Sequence, residues 1–161
     1  MAYFSDLSPY TYLLGEINPP TLNVGWLESK HAYPQGETSE EFNERLWQFC
    51  RRQVAAMRGF HLCELCHGSP PDAALHWRGG EKILLGSAEI RVFGLNGVVY
   101  AAPNMIYHYV LTHRYCPPLE FIRAVLEGPL PDSLEYAALA MRCVWWGDAQ
   151  RSWKRLEESG G

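Results

Sequence analysis

Hydrophobic residues fall at helical spacing most clearly in the series Phe42, Leu46, Phe49, Cys50, Val54 and Met57, where each step places the next side chain near the same face. Thr38-Ser39-Glu40-Glu41 stands just before it and has the form of a capping box, so the pattern predicts a helix that ends near Arg58-Gly59. The period then changes from helical to two. Ala88, Ile90 and Val92 alternate with Glu89, Arg91 and Phe93, and Asn96-Gly97 offers a tight turn before Val98, Val99 and Tyr100. This predicts a β-hairpin whose charged positions, Glu89 and Arg91, face solvent. A second helix follows at once, with Pro103 and Asn104 as its start, Ile106, Tyr107, Val110 and Leu111 as its apolar positions, and Pro117-Pro118 as its stop.

Phe121, Ile122, Val125 and Leu126 predict a short third helix, halted by Gly128 and Pro129. Asp132 is placed to cap a longer one over the C-terminal helical segment, 132–157. That helix carries two apolar stripes, Leu134, Ala138, Met141, Trp145 and Tyr136, Leu139, Cys143, Trp146. A helix apolar around most of its circumference is either central or covered. The second stripe, Tyr136, Leu139, Cys143 and Trp146, is therefore a candidate contact surface for a protein partner or a second copy of the chain.

Residues 1–38 are rich in Pro, Gly, Asn and Tyr, with turn signals at Asn18-Pro19-Pro20, Asn23-Val24-Gly25 and Pro34-Gln35-Gly36. Few regular elements are expected there. Tyr3, Phe4, Leu7, Tyr10, Tyr12, Leu13, Trp26 and Leu27 would anchor this stretch as an irregular aromatic-rich wrap over the core. The stretch 70–80 reads as a loop, followed by a short strand at Lys82-Ile83-Leu84-Leu85.

The chain has 161 residues, 47% hydrophobic and 13% aromatic, which fits one compact domain over 1–161 and excludes general disorder. No run of 18 apolar residues predicts a membrane span. The net charge of −4 supplies no general electrostatic footprint for nucleic acid, leaving only a local patch built from Arg91, Arg114 and Arg123 as a route to it. Five cysteines and no apolar leader point to a reducing, cytoplasmic setting in which Cys50, Cys116 and Cys143 are free or buried.

Cys63 and Cys66 change that picture, because His108 and His113 follow them and the four can enclose one Zn²⁺ tetrahedrally. The ligand order is a knuckle of two cysteines, a hairpin and a histidine-bearing helix, as in treble-clef and related zinc folds. The expected architecture is thus α+β, with a zinc-binding core at 59–116 and about three further helices packed on it. Residues five apart on an ideal helix point about 140° apart, so His113 must sit where the last turn loosens. His61, His67 and Cys116 are substitutes should one of the four not be a ligand. Each residue alone has a plainer reading, a hydrogen-bonded core histidine or a small buried thiol.

Two rival motifs share these residues. Cys63-Glu64-Leu65-Cys66-His67 has the C-x-x-C-H form of haem attachment, which the lack of an export signal argues against. A redox dithiol would open a helix beside a strand, whereas Gly68-Ser69-Pro70-Pro71 breaks one. A metal-dependent hydrolase or deaminase would need a proton carrier such as Glu64 or Glu89, but H-E-x-x-H is absent and no H-x-E precedes the cysteine pair.

The strings LSPYTYL, NVGWL, RGFHLCELC, GSAEIRV, YAAP and HYVLTHRYCPP together resemble an uncharacterised family of small bacterial single-domain proteins, from about Leu7 to Leu126. The resemblance implies a coherent domain and recurrence of the two cysteines and two histidines, which favours Cys63, Cys66, His108 and His113 as the metal set. It names no reaction. Four protein ligands leave no place for a reacting water, so the expected role is a non-enzymatic protein-binding module stiffened by structural zinc. By analogy, an immunity protein that neutralises a toxin is one such role.

Overall fold

The computed structural model describes residues 3–11, 19–67 and 74–160. Helix α1, Glu40–Arg51, begins where the Ser39 hydroxyl accepts a hydrogen bond from the Phe42 amide at 3.1 Å, a cap worth about 1 kcal/mol. The cap lies one residue beyond the expected Thr38, whose hydroxyl instead donates to Asn43 Oδ1 at 2.7 Å. The helix stops well before Arg58-Gly59. Val54 leaves the helical path because it exchanges backbone hydrogen bonds with Glu89, at 2.7 and 2.8 Å. Its Phe42, Leu46, Phe49 and Cys50 are buried on the face that meets the sheet and the next two helices.

The predicted hairpin is present as β4, Glu89–Phe93, and β5, Val99–Pro103, paired antiparallel with Val92 opposite Tyr100. Asn96 and Gly97 turn the chain with positive φ, 62° and 76°, a region in which asparagine and glycine are the favoured residues. Pro103, read from sequence as a helix start, ends β5. Helix α2, Ile106–His113, follows. Strand β1, Thr21–Asn23, joins β5 in parallel, giving the order β1-β5-β4, and is the one strand among the described residues of the N-terminal stretch.

Glu89 and Arg91 do not face solvent, since every residue of β4 is buried. Alternation places Glu89, Arg91 and Phe93 on one face with Val99 and Ala101. The N-terminal stretch covers part of that face: Tyr10 and Trp26 cluster with Ala101, and Trp26 Nε1 donates to the Ala101 carbonyl at 3.0 Å. Tyr136 and Trp145 cover the rest, with ring centroids 4.8 and 6.1 Å from that of Phe93.

The described part of the stretch read as a loop, residues 74–80, is not simply one. Strands β2, Leu75–Arg78, and β3, Glu81–Leu84, form a second antiparallel hairpin around Gly79-Gly80, both with positive φ. Helix α3, Leu119–Glu127, packs on α1 and β4.

The C-terminal helix predicted from Asp132 is two helices, α4, Leu134–Ala140, capped by Ser133, and α5, Trp146–Gly160. Four helices therefore accompany α2 among the described residues, rather than about three. The break brings Tyr136 within 6.3 Å of Trp153, centroid to centroid, residues that a straight helix would hold about 25 Å apart along its axis. Folding back lets Tyr136 meet Trp145, Trp146 and Trp153 together. The stripe Tyr136, Leu139, Cys143, Trp146 is accordingly not one exposed surface, because Tyr136 and Cys143 are buried and Trp146 is half-buried. Leu139 is the one exposed member of that stripe, at 38%, and Leu134, Met141 and Val144 are the most open apolar positions of the segment, 90%, 76% and 80% exposed.

Among the described residues no helix is long and apolar enough to cross a membrane. The expected anchors Tyr12 and Leu13, Asn18 of the first turn, and Gly68-Ser69-Pro70-Pro71 lie outside the described residues.

Candidate metal centre

The chain reaches the cysteine pair along a backbone that is pinned twice. Met57 N donates to the Ser87 carbonyl at 2.6 Å and His61 N to that of Gly86 at 2.8 Å. Only glycine suits position 86. Its φ is +114°, and a Cβ there would lie 2.5 Å from the His61 carbonyl oxygen. The Gly86 amide donates in turn to Asn104 Oδ1 at 2.9 Å, which links this approach to the start of α2. Cys63 and Cys66 follow in a turn closed by Cys66 N to the Cys63 carbonyl, 3.4 Å.

Helix α2 supplies both histidines. His113 is its last helical residue and Arg114 leaves with φ 55°, so the loosening required by a five-residue separation occurs at that end. His108 Nε2 lies 3.2 Å from Cys66 Sγ, and His113 Nε2 lies 3.1 Å from Cys66 Sγ and 3.4 Å from Cys63 Sγ. The four donor atoms all fall within 4.8 Å of one another and could hold a metal ion. Cys63 and His108 are 8% and 2% exposed, while Cys66 and His113 are half-buried.

Burial sets the charge state of this cluster. It pushes the Cys63 thiol up to about 11, with neighbouring Cys66 adding to the rise. It drives His108 down to about 4, helped by His76 and His113, and lowers His113 as well, with His67 contributing. Neutral imidazoles are ready donors, whereas the Cys63 thiol becomes a strong donor only when a cation displaces its proton.

The substitutes considered from sequence lie outside the set. Cys116 packs toward Gly36 and its backbone amide bonds the Pro34 carbonyl. His61 lines a small cavity of about 40 Å³ with Trp26, Met57 and Gly86, and His67 is exposed. In chain order the turn with Cys63 and Cys66 is followed by the β2–β3 hairpin, the β4–β5 hairpin and α2.

Glu64 is exposed. Glu89, 5% exposed, instead accepts from Tyr10 Oη at 2.9 Å and from Arg91 Nη1 at 2.8 Å. Arg91, 2% exposed, also stacks over the Tyr10 ring at 4.8 Å. Arg91 therefore cannot join the exposed Arg114 and Arg123 in a surface patch for nucleic acid.

Sequence reasoning missed His76. From β2 its Nε2 approaches His108 Nδ1 to 2.8 Å. No spacing rule relates it to the other four residues, and only the glycine pair that builds its hairpin could have hinted at its strand.

The family described as a domain of unknown function, DUF7919, matches residues 2–126, more than half of the chain, and the chain belongs to that family. The match agrees with the resemblance to an uncharacterised family and contains all four cluster residues, whereas α4 and α5 lie beyond it. No curated protein and no solved structure matches the chain.

Proposed function

We propose that this chain is a non-enzymatic protein-binding module whose fold is fastened by one structural Zn²⁺ held by Cys63, Cys66, His108 and His113. The observation that carries this reading is the convergence of four protein donors on one point. Zinc bond lengths of about 2.3 Å to sulfur and about 2.0–2.1 Å to nitrogen imply sulfur to nitrogen separations of about 3.6 Å around a tetrahedral ion. Three of the four sulfur to nitrogen separations are 3.1–3.4 Å and need open by only a few tenths of an ångström, and all four donor atoms lie within 4.8 Å of one another. Two thiolates and two imidazoles suit zinc's borderline softness, and a site closed by four of them leaves no position for a reacting water. A treble-clef-like arrangement, enlarged by the β2–β3 hairpin, accounts for the ligand order.

The binding half of the proposal draws on Leu134, Met141 and Val144, apolar side chains left open on the C-terminal segment. A protein partner that covers them, such as a toxin held by an immunity protein, fits their chemistry. Elemental analysis of protein purified without added metal tests the metal half: about one zinc per chain is expected, with loss in Cys66→Ser. Full retention of zinc by that variant would sink the assignment.

A further inference from the structure

We infer that His76 is a positioning residue for the metal ligand His108, fixing its ring and its tautomer from the β2–β3 hairpin; this rests on the metal-binding reading above. The two nitrogens of His108 face opposite ways. Nε2 points into the cluster, 3.2 Å from Cys66 Sγ, and Nδ1 lies 2.8 Å from His76 Nε2. A neutral imidazole that gives its Nε2 lone pair to a cation must carry its proton on Nδ1. That proton has two neighbours, His76 Nε2 at 2.8 Å and Thr112 Oγ1 at 3.4 Å, and the shorter contact makes His76 the acceptor. His76 then bears its own proton on Nδ1.

The acceptor is held independently of any ion. His76 pairs with Ile83 in the hairpin, and its ring meets the Tyr107 ring edge-on at 5.5 Å. Arg78, two residues along the same strand, donates to Tyr107 Oη at 2.8 Å and bonds Glu40 and Glu44 of α1. The hairpin thus contributes to metal affinity although none of its residues touches the ion, since outer partners of ligating histidines fix ring orientation and basicity.

Zinc affinity, measured by competition with a chromophoric chelator, tests this on the full chain. His76→Phe keeps a ring against Tyr107 but removes the acceptor, and is expected to bind zinc about 10–100-fold more weakly. His76→Gln, whose amide oxygen can accept, is expected to recover most of the loss. A His76→Phe chain that binds as tightly as wild type, or a His76→Gln chain no better than His76→Phe, overturns the role of His76 alone. A wild-type chain that binds no zinc overturns the metal reading with it. Long-range ¹H–¹⁵N correlation spectra of the zinc-loaded wild type provide a check that needs no variant to fold. His108 and His76 should both appear protonated at Nδ1, and a proton on His76 Nε2 overturns the inference.

Discussion

Asn104 Oδ1 accepts the Gly86 amide at 2.9 Å, so the residue just before the helix that carries His108 and His113 also holds the segment leading into the cysteine pair. Asn104 is fully buried; its backbone N–H donates to the Ala88 carbonyl at 2.9 Å and its side-chain amide to Gln53 Oε1 at 3.3 Å. Asn104→Ala would strand the Gly86 N–H away from water, a loss of about 1–3 kcal/mol. Urea unfolding should show that loss as a lowered midpoint at unchanged slope. An unchanged midpoint would mean that Gly86 finds water or another acceptor.

The buried pair Glu89 and Arg91 predicts strong coupling between two substitutions. Glu89→Leu leaves the Arg91 guanidinium without a counter-charge, and Arg91→Met does the same to the carboxylate. Each is expected to cost about 3–5 kcal/mol, whereas replacing both by apolar residues of similar volume is expected to recover most of it. Denaturant unfolding of the two single variants and the double variant measures the coupling. Losses that simply add would show that the pair does not act as a unit.

What sequence could reveal here was local. The β4–β5 hairpin announced itself through alternation and Asn96-Gly97, and α1 through its apolar spacing, because both signals lie within the element itself. The cluster of Cys63, Cys66, His108 and His113 was legible for the same reason, as two short motifs, and the structure brings the four together. The burial of Glu89 and Arg91 was not, since their cover comes from Tyr10 and Trp26 on one side of the chain and from Tyr136 and Trp145 on the other. Strand β1 is only three residues long and borrows its identity from β5. The break after Ala140 escaped notice because the apolar spacing runs through it, and only the Tyr136 and Trp153 contact shows why the chain turns.

That break separates two kinds of apolar residue on the C-terminal segment. Tyr136 is buried among Phe49, Phe93 and the tryptophans, and its hydroxyl donates to the Arg91 carbonyl at 2.8 Å. Tyr136→Ala should therefore destabilise by about 3–5 kcal/mol, as other large aromatic deletions in cores do. Met141→Glu with Val144→Glu should stay within about 0.5 kcal/mol of wild type, since neither side chain is packed. If this surface meets a partner, the double variant remains folded and loses association in sedimentation or pull-down. Unfolding of the double variant would show that these side chains are core after all.

Buried phenols predict how the protein responds to alkali. Burial is the leading cause that raises Tyr10, Tyr109, Tyr115 and Tyr136 well above an ordinary tyrosine, and it raises Tyr100 to about 12 with help from the Glu120 carboxylate. Tyr115 is further raised by Asp6, whose carboxylate accepts its hydroxyl at 2.8 Å. A folded value above the unfolded one means that the unfolded chain gives up these protons first, near pH ~10. The stabilisation they bring is complete below that pH and is lost as pH rises from there toward the folded values. The fully buried Cys50 thiol acts in the same sense, beginning near the ordinary thiol value of about 8.5. Stability measured by denaturant should thus decline above pH ~8.5 and fall steeply beyond pH ~10. These five phenols should add to the phenolate absorbance in a cooperative step that coincides with the loss of far-ultraviolet circular dichroism. Gradual ionisation of these tyrosines near pH ~10 in a chain that keeps its native dichroism would contradict their burial.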